Sequence, residues 1–171
     1  MHQGIGLDAF NAVPMRRAVH EIYECCYSVP LAADLCRSRP FATHDELFRT
    51  ADALLFGLSE ESVDTILQAY PDIGRRPGSE KSAAEQCAIW CDEDGVMEQL
   101  AGASTRYLEH FGFGFVMLVN GYTAQTVLAT MSDRMHNDAE TERKIVRNEL
   151  ARINRTRLER MLGPEGGYDN W

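Results

Sequence analysis

The stretch DAETERKIVRNELARINRTRLERML, residues 138–162, decides the fold. Val146, Leu150, Ile153 and Met161 recur at the spacing of one helix face. Asp138, Glu140 and Glu142 occupy its first turns, and Arg155, Arg157 and Arg160 crowd its end. That polarity complements a helix dipole. Gly163-Pro164 then closes the helix. At about 100° per residue, Arg157 falls in the middle of the apolar stripe, whereas the other arginines point elsewhere. An arginine so placed must snorkel out or meet a buried anion, because an unpaired buried charge is costly. Two readings stay open: a structural pair with a core-facing Asp or Glu, or a two-pronged fork for a substrate carboxylate.

Working outward, helical periodicity continues through most of the chain. Residues 7–12 and 15–26 form a helix pair broken at Pro14, and a short helix near 30–38 stops before Pro40. Thr43-His44-Asp45-Glu46 is a capping box that opens a helix carrying Leu47, Ala51, Leu54 and Leu55. Ser59 caps the next, with Val63, Ile66 and Leu67 on one face, and Pro71 ends it. Residues 71–81 read as a polar loop, Ser82 starts a short helix, and a longer one runs from about 93 to 110. Phe111 to Gly121 fits either an extended segment or a distorted helix. Thr123 opens a helix to about His136. The expectation is an all-α fold with a single compact multi-helix domain over 1–162 and a loose tail over 163–171.

Composition narrows the function classes. The 171 residues suit one domain with a sizeable core. A net charge of −9, without a Lys/Arg run, argues against nucleic acid. The longest greasy stretch, Phe113 to Val119, is far short of the ~20 residues a membrane helix needs. The N-terminal residues lack the pattern of a signal peptide, and the C-terminal ones are not a peroxisomal address. The five cysteines, Cys25, Cys26, Cys36, Cys87 and Cys91, read as reduced cytosolic thiols. Cys87 and Cys91 can share a helix face, but no further zinc ligands accompany them, so no metal is expected. The five histidines form no ligand spacing.

Three further constellations carry chemical potential. Ser82-Ala83-Ala84-Glu85-Gln86 is a capping box, or a carboxylate beside an amide able to act as a base or orient a ureide. Tyr70 shares the face of Val63, Ile66 and Leu67; it is a core tyrosine or a phenolic proton donor. In Phe111-Gly112-Phe113-Gly114-Phe115-Val116, the glycines allow either tight backbone packing or backbone N–H groups that approach a ligand.

In this order, the pieces resemble the 2-oxo-4-hydroxy-4-carboxy-5-ureidoimidazoline (OHCU) decarboxylase family over about residues 8–162. Phe10-Asn11-Ala12-Val13-Pro14, Glu24-Cys25-Cys26 and Arg39-Pro40-Phe41 resemble its opening helices. Tyr70-Pro71-Asp72-Ile73-Gly74 sits where the family has His-Pro-x-Ile/Leu-Gly. Ser82 to Gln86 matches Ser-x-x-Glu-Gln, Phe111 to Phe115 resembles Phe-Gly-Phe-Pro-Phe, and Arg157-Leu158 matches a terminal Arg-Leu. Three positions depart: Tyr70 for histidine, Gly114 for proline, and His110 for lysine.

The resemblance implies a cytoplasmic, dimeric lyase without metal or organic cofactor. It implies a small heterocyclic substrate, OHCU, converted to (S)-allantoin and CO₂ in purine breakdown. Tyr70, Glu85 and Arg157 are then the catalytic candidates. Pro71, Ser82, Gln86, Phe115, Val116 and Val119 would line the substrate pocket. With tyrosine at the histidine position, two other readings stand beside this one. The first is a different reaction on a related nitrogen heterocycle in a biosynthetic pathway, and the second is a non-catalytic ligand-binding or regulatory relic.

Overall fold

A computed structural model describes residues 4–71 and 95–164. The described residues fold into helices, with no strand among them: α1 (Leu7–Ala12), α2 (Met15–Cys26), α3 (Val29–Arg37), α4 (His44–Phe56), α5 (Glu60–Ala69), α6 (Val96–Phe111), α7 (Ala124–Arg134) and α8 (Ala139–Leu162). The all-α expectation therefore holds. The predicted polar loop after Pro71, the helix at Ser82 and the pair Cys87 and Cys91 lie outside the described residues. Among the described helices, none is long and apolar enough to cross a membrane.

Local chemistry explains where the helices start. Ser28, Thr43, Ser59, Thr123 and Asp138 each present a side-chain oxygen to the N–H three residues on, at 2.7–3.3 Å. Each such cap is worth about 1 kcal/mol. The Thr43 box departs from the expected form. The Glu46 carboxylate accepts from the N–H of Ala42, at 2.9 Å, one residue before the cap itself.

The chain divides into two compact units. One contains the residues up to Ser62 together with those from Ala151 onward; the other is Val63–Leu150. In the first, α2 packs on α3 and α3 on α4. Ala18, Ile22, Cys25 and Cys26 form the buried face of α2. Two of the sequence segments noted above meet here. Asn11 pairs with the backbone of Phe41 in both directions, each bond 2.9 Å. Arg39 donates to the carbonyls of Phe10 at 2.7 Å and Val13 at 2.8 Å, where the α1–α2 break leaves carbonyls without helical partners. The Arg39–Pro40 peptide is cis. The three described cysteines are buried free thiols. Burial pushes the Cys26 thiol up to about 12 and the Cys36 thiol up to about 11, so both stay protonated at neutral pH.

In the second unit α6 packs on α7. The uncertain stretch from Phe111 is not a distorted helix. Gly112 adopts φ 80° and its N–H caps the Leu108 carbonyl at 2.8 Å, ending α6. A left-handed residue there suits glycine. Beyond it, residues 114–119 run without helix or turn. The helix after Thr123 ends at Arg134, two residues earlier than its periodicity suggested.

Candidate functional site

The second unit contains most of the described candidate residues. Tyr70 directly follows the last residue of α5, and its N–H donates to the Leu67 carbonyl at 3.2 Å. Its ring is half-buried, and the hydroxyl oxygen is withdrawn from solvent. Pro71 beside it is half-buried. Phe115, Val116 and Val119 are buried in the irregular segment that follows α6. Ser82, Glu85 and Gln86 lie outside the described residues.

That segment is fastened by a buried charged cluster that the sequence reading did not single out. Glu142, fully buried on α8, accepts from the Tyr107 hydroxyl and from Nε of Arg134, both at 2.5 Å. Asn137 donates to its second oxygen at 3.2 Å. The Arg134 guanidinium then donates to the Val116 carbonyl at 2.8 Å and lies over the Phe115 ring, 4.3 Å from its centroid. Two residues on, the Leu118 N–H donates to the Glu149 carboxylate at 2.9 Å. Tyr107 keeps its proton: burial raises its pKa, and donation to Glu142 raises it further.

A signal for this cluster was present. Glu142 lies four residues before Val146, on the same stripe as Arg157, and Arg134 follows the buried Val127 and Met131 at helical spacing. Reading Glu142 only as a partner of the helix dipole missed its burial.

The phenylalanines between the glycines are structural here. Phe111 and Phe115 lie against the Tyr107 ring, and Phe113 carries the Arg143 guanidinium 4.1 Å from its centroid. Arg143 also pairs with Asp64. Gly114 is different. A side chain there would meet no described atom within 4 Å.

The buried cluster has a testable energetic signature. Removing one member of a buried ion pair strands the other, at about 3–5 kcal/mol. Arg134→Met is expected to lower the free energy of urea unfolding by that amount. A loss below about 1 kcal/mol would mean that Glu142 is satisfied without it.

Arg157 belongs to the first unit. It is 3% exposed, on the inward face of α8 beside Ile153 and Leu158. One guanidinium nitrogen donates to the Cys25 carbonyl at 3.4 Å, and the group lies over the Tyr27 ring, 4.9 Å from its centroid. The stripe argument therefore placed it correctly, whereas Arg155 and Arg160 are exposed. Among the described residues, no group of three His, Cys, Asp or Glu side chains is placed to hold a metal. A groove of about 560 Å³ between α6 and α7 is lined by Gly102, Arg106, Met131 and His136 among others, and by none of the candidate residues.

The described residues are helical, with an arginine buried in α8, and the comparisons identify the family. The family model for OHCU decarboxylase matches residues 11–159. The chain belongs to the OHCU decarboxylase family. It is 32% identical over 152 residues to the 2-oxo-4-hydroxy-4-carboxy-5-ureidoimidazoline decarboxylase of Haloferax volcanii, spanning 86% of this chain and 89% of that protein. It is 26% identical over 131 residues to a uric acid degradation bifunctional protein of Bacillus subtilis, spanning 75% of this chain and 26% of that longer one. A crystal structure of OHCU decarboxylase in the presence of (S)-allantoin superposes with a TM-score of 0.73 at 24% identity, over 83% of this chain and 96% of that one.

Proposed function

We propose that this protein is a cofactor-independent carbon–carbon lyase that decarboxylates OHCU to (S)-allantoin in urate breakdown, acting in the cytoplasm as a homodimer. The observation that carries the reading is Arg157. Its guanidinium, sunk into the inward face of α8, carries the planar fork that matches a carboxylate, and OHCU bears one.

The chemistry assigns the remaining parts. Loss of CO₂ leaves an electron pair on the ring carbon, which the adjacent C=N absorbs. A proton must then arrive from one face to give one enantiomer. Arg157 holds and stabilises the anionic oxygen. Glu85 and Gln86 are assigned to the ureide and hydroxyl groups, and Ser82, Pro71, Phe115, Val116 and Val119 to the lining of the substrate pocket. Tyr70, at the position of the family's histidine, supplies the proton from a phenol.

The presence of Tyr70 also favours a second reading. A phenol is a poor base near pH 7 and cannot become a cation. A related nitrogen heterocycle needing only proton donation suits it as well as OHCU does.

Freshly generated OHCU separates the two readings. Circular dichroism should register (S)-allantoin forming faster than the spontaneous, racemic background. Stoichiometric binding of allantoin without turnover would favour the related heterocycle. Neither turnover nor binding would leave a non-catalytic regulatory relic.

A further inference from the structure

Tyr27 is the one described residue other than glycine with positive φ, at 54°. It is the C-cap of α2, a position where glycine is preferred because a Cβ is crowded in the left-handed region. Its N–H caps the Tyr23 carbonyl at 2.8 Å, a bond that glycine would make equally well. The helix end therefore gains nothing from the side chain, and the backbone is strained by it. Strain of this kind persists where the surrounding structure has a use for it.

The use lies 4.9 Å away, where the Arg157 guanidinium sits over the Tyr27 ring. The left-handed turn sets the Tyr27 ring beside this cation, next to the last turn of α2. The ring lies under the guanidinium, and the Cys25 carbonyl accepts from one of its nitrogens at 3.4 Å. The carbonyl belongs to the last turn of α2, where the helix dipole is negative and attracts a cation. The guanidinium is thus held from below by a π face and at one edge by a carbonyl.

We propose that Tyr27 is a positioning residue for Arg157. Its ring fixes the plane of the guanidinium, and hence the direction in which the fork meets a substrate anion. This rests on the reading of Arg157 as the anion-binding group.

Two measurements test it. The first does not depend on activity. In ¹⁵N-labelled protein, the Arg157 Nε–H resonance, assigned by its loss in Arg157→Lys, should be displaced upfield by the ring current. Tyr27→Gly and Tyr27→Leu should remove the displacement, and Tyr27→Phe should keep it. The second is affinity for (S)-allantoin and KM for fresh OHCU. Loss of the ring should weaken both by roughly 3- to 30-fold, the range of a partly desolvated cation–π contact. Tyr27→Phe should match the wild type, and Tyr27→Gly should melt no lower, because the strain is gone.

The proposal is overturned if the resonance is not displaced in the wild type, if Tyr27→Leu binds as well as Tyr27→Phe, or if melting temperature and affinity fall together in Tyr27→Gly. A displaced resonance in a protein that neither binds allantoin nor turns over OHCU leaves Tyr27 as the positioning residue and refutes only the proposed reaction.

Discussion

Tyr70→His is expected to accelerate formation of (S)-allantoin from fresh OHCU by ~10²–10⁴-fold, the usual worth of general acid–base help from a well-placed group. The wild type should be slow by comparison. The basis is position. Tyr70 ends the α5 segment directly before Pro71, and its hydroxyl oxygen is shielded from water. An ordinary imidazole titrates near neutrality, whereas an ordinary phenol holds its proton until ~10. Tyr70→Phe removes only the oxygen and should abolish the natural activity, whichever heterocycle is the substrate. The opposite result is easy to recognise. If the wild type is already an efficient decarboxylase and Tyr70→Phe changes nothing, Tyr70 is a packing residue. His110 and Glu85 would be the next candidates. His110 is exposed on α6 against Phe111, which makes it the weaker of the two.

Arg157→Lys should lower kcat/KM by ~10²–10³-fold, the cost of losing a stabilising donor at a developing oxyanion. Lysine keeps the charge but has no planar fork and stacks less well on Tyr27. Folding should suffer far less than function, because the stem of lysine fills much of the same channel. The measurement is a pair of curves on one preparation, thermal unfolding and allantoin binding. If both collapse together, Arg157 serves the interior of its unit and leaves the list of site residues.

The helices were readable because their starts are local events. Thr43, Ser59 and Thr123 announce themselves by residue type and offset, and each side chain accepts the N–H three residues on. Arg157 was readable because one charge interrupting an apolar stripe is conspicuous. Residues 111–121 were ambiguous because alternating glycine and phenylalanine satisfies neither helical nor strand periodicity. The left-handed backbone of Gly112 decides the matter, and a conformation of that kind is not written in the pattern.

The cluster of Tyr107, Arg134 and Glu142 was missed for a different reason. Glu142 stands on the apolar stripe of its helix, but its acidic place in the first turns hid its burial, and which polar atoms share that buried space is set by tertiary packing. Tyr27 was hidden likewise, since nothing in a sequence marks a tyrosine as left-handed.

One helix, α8, holds the irregular segment after α6 at two points. Glu142 and Glu149 stand seven residues apart, two turns and about 10 Å along the axis. The first grips the Val116 carbonyl through Arg134 and the second grips the Leu118 N–H. The helix is therefore a gauge that holds two points of one irregular segment at a set separation. Inserting or deleting a single residue between 142 and 149 would swing the second carboxylate by about 100° and release the segment. Substitutions between the two carboxylates leave this gauge intact, whereas a change in the number of residues between them does not.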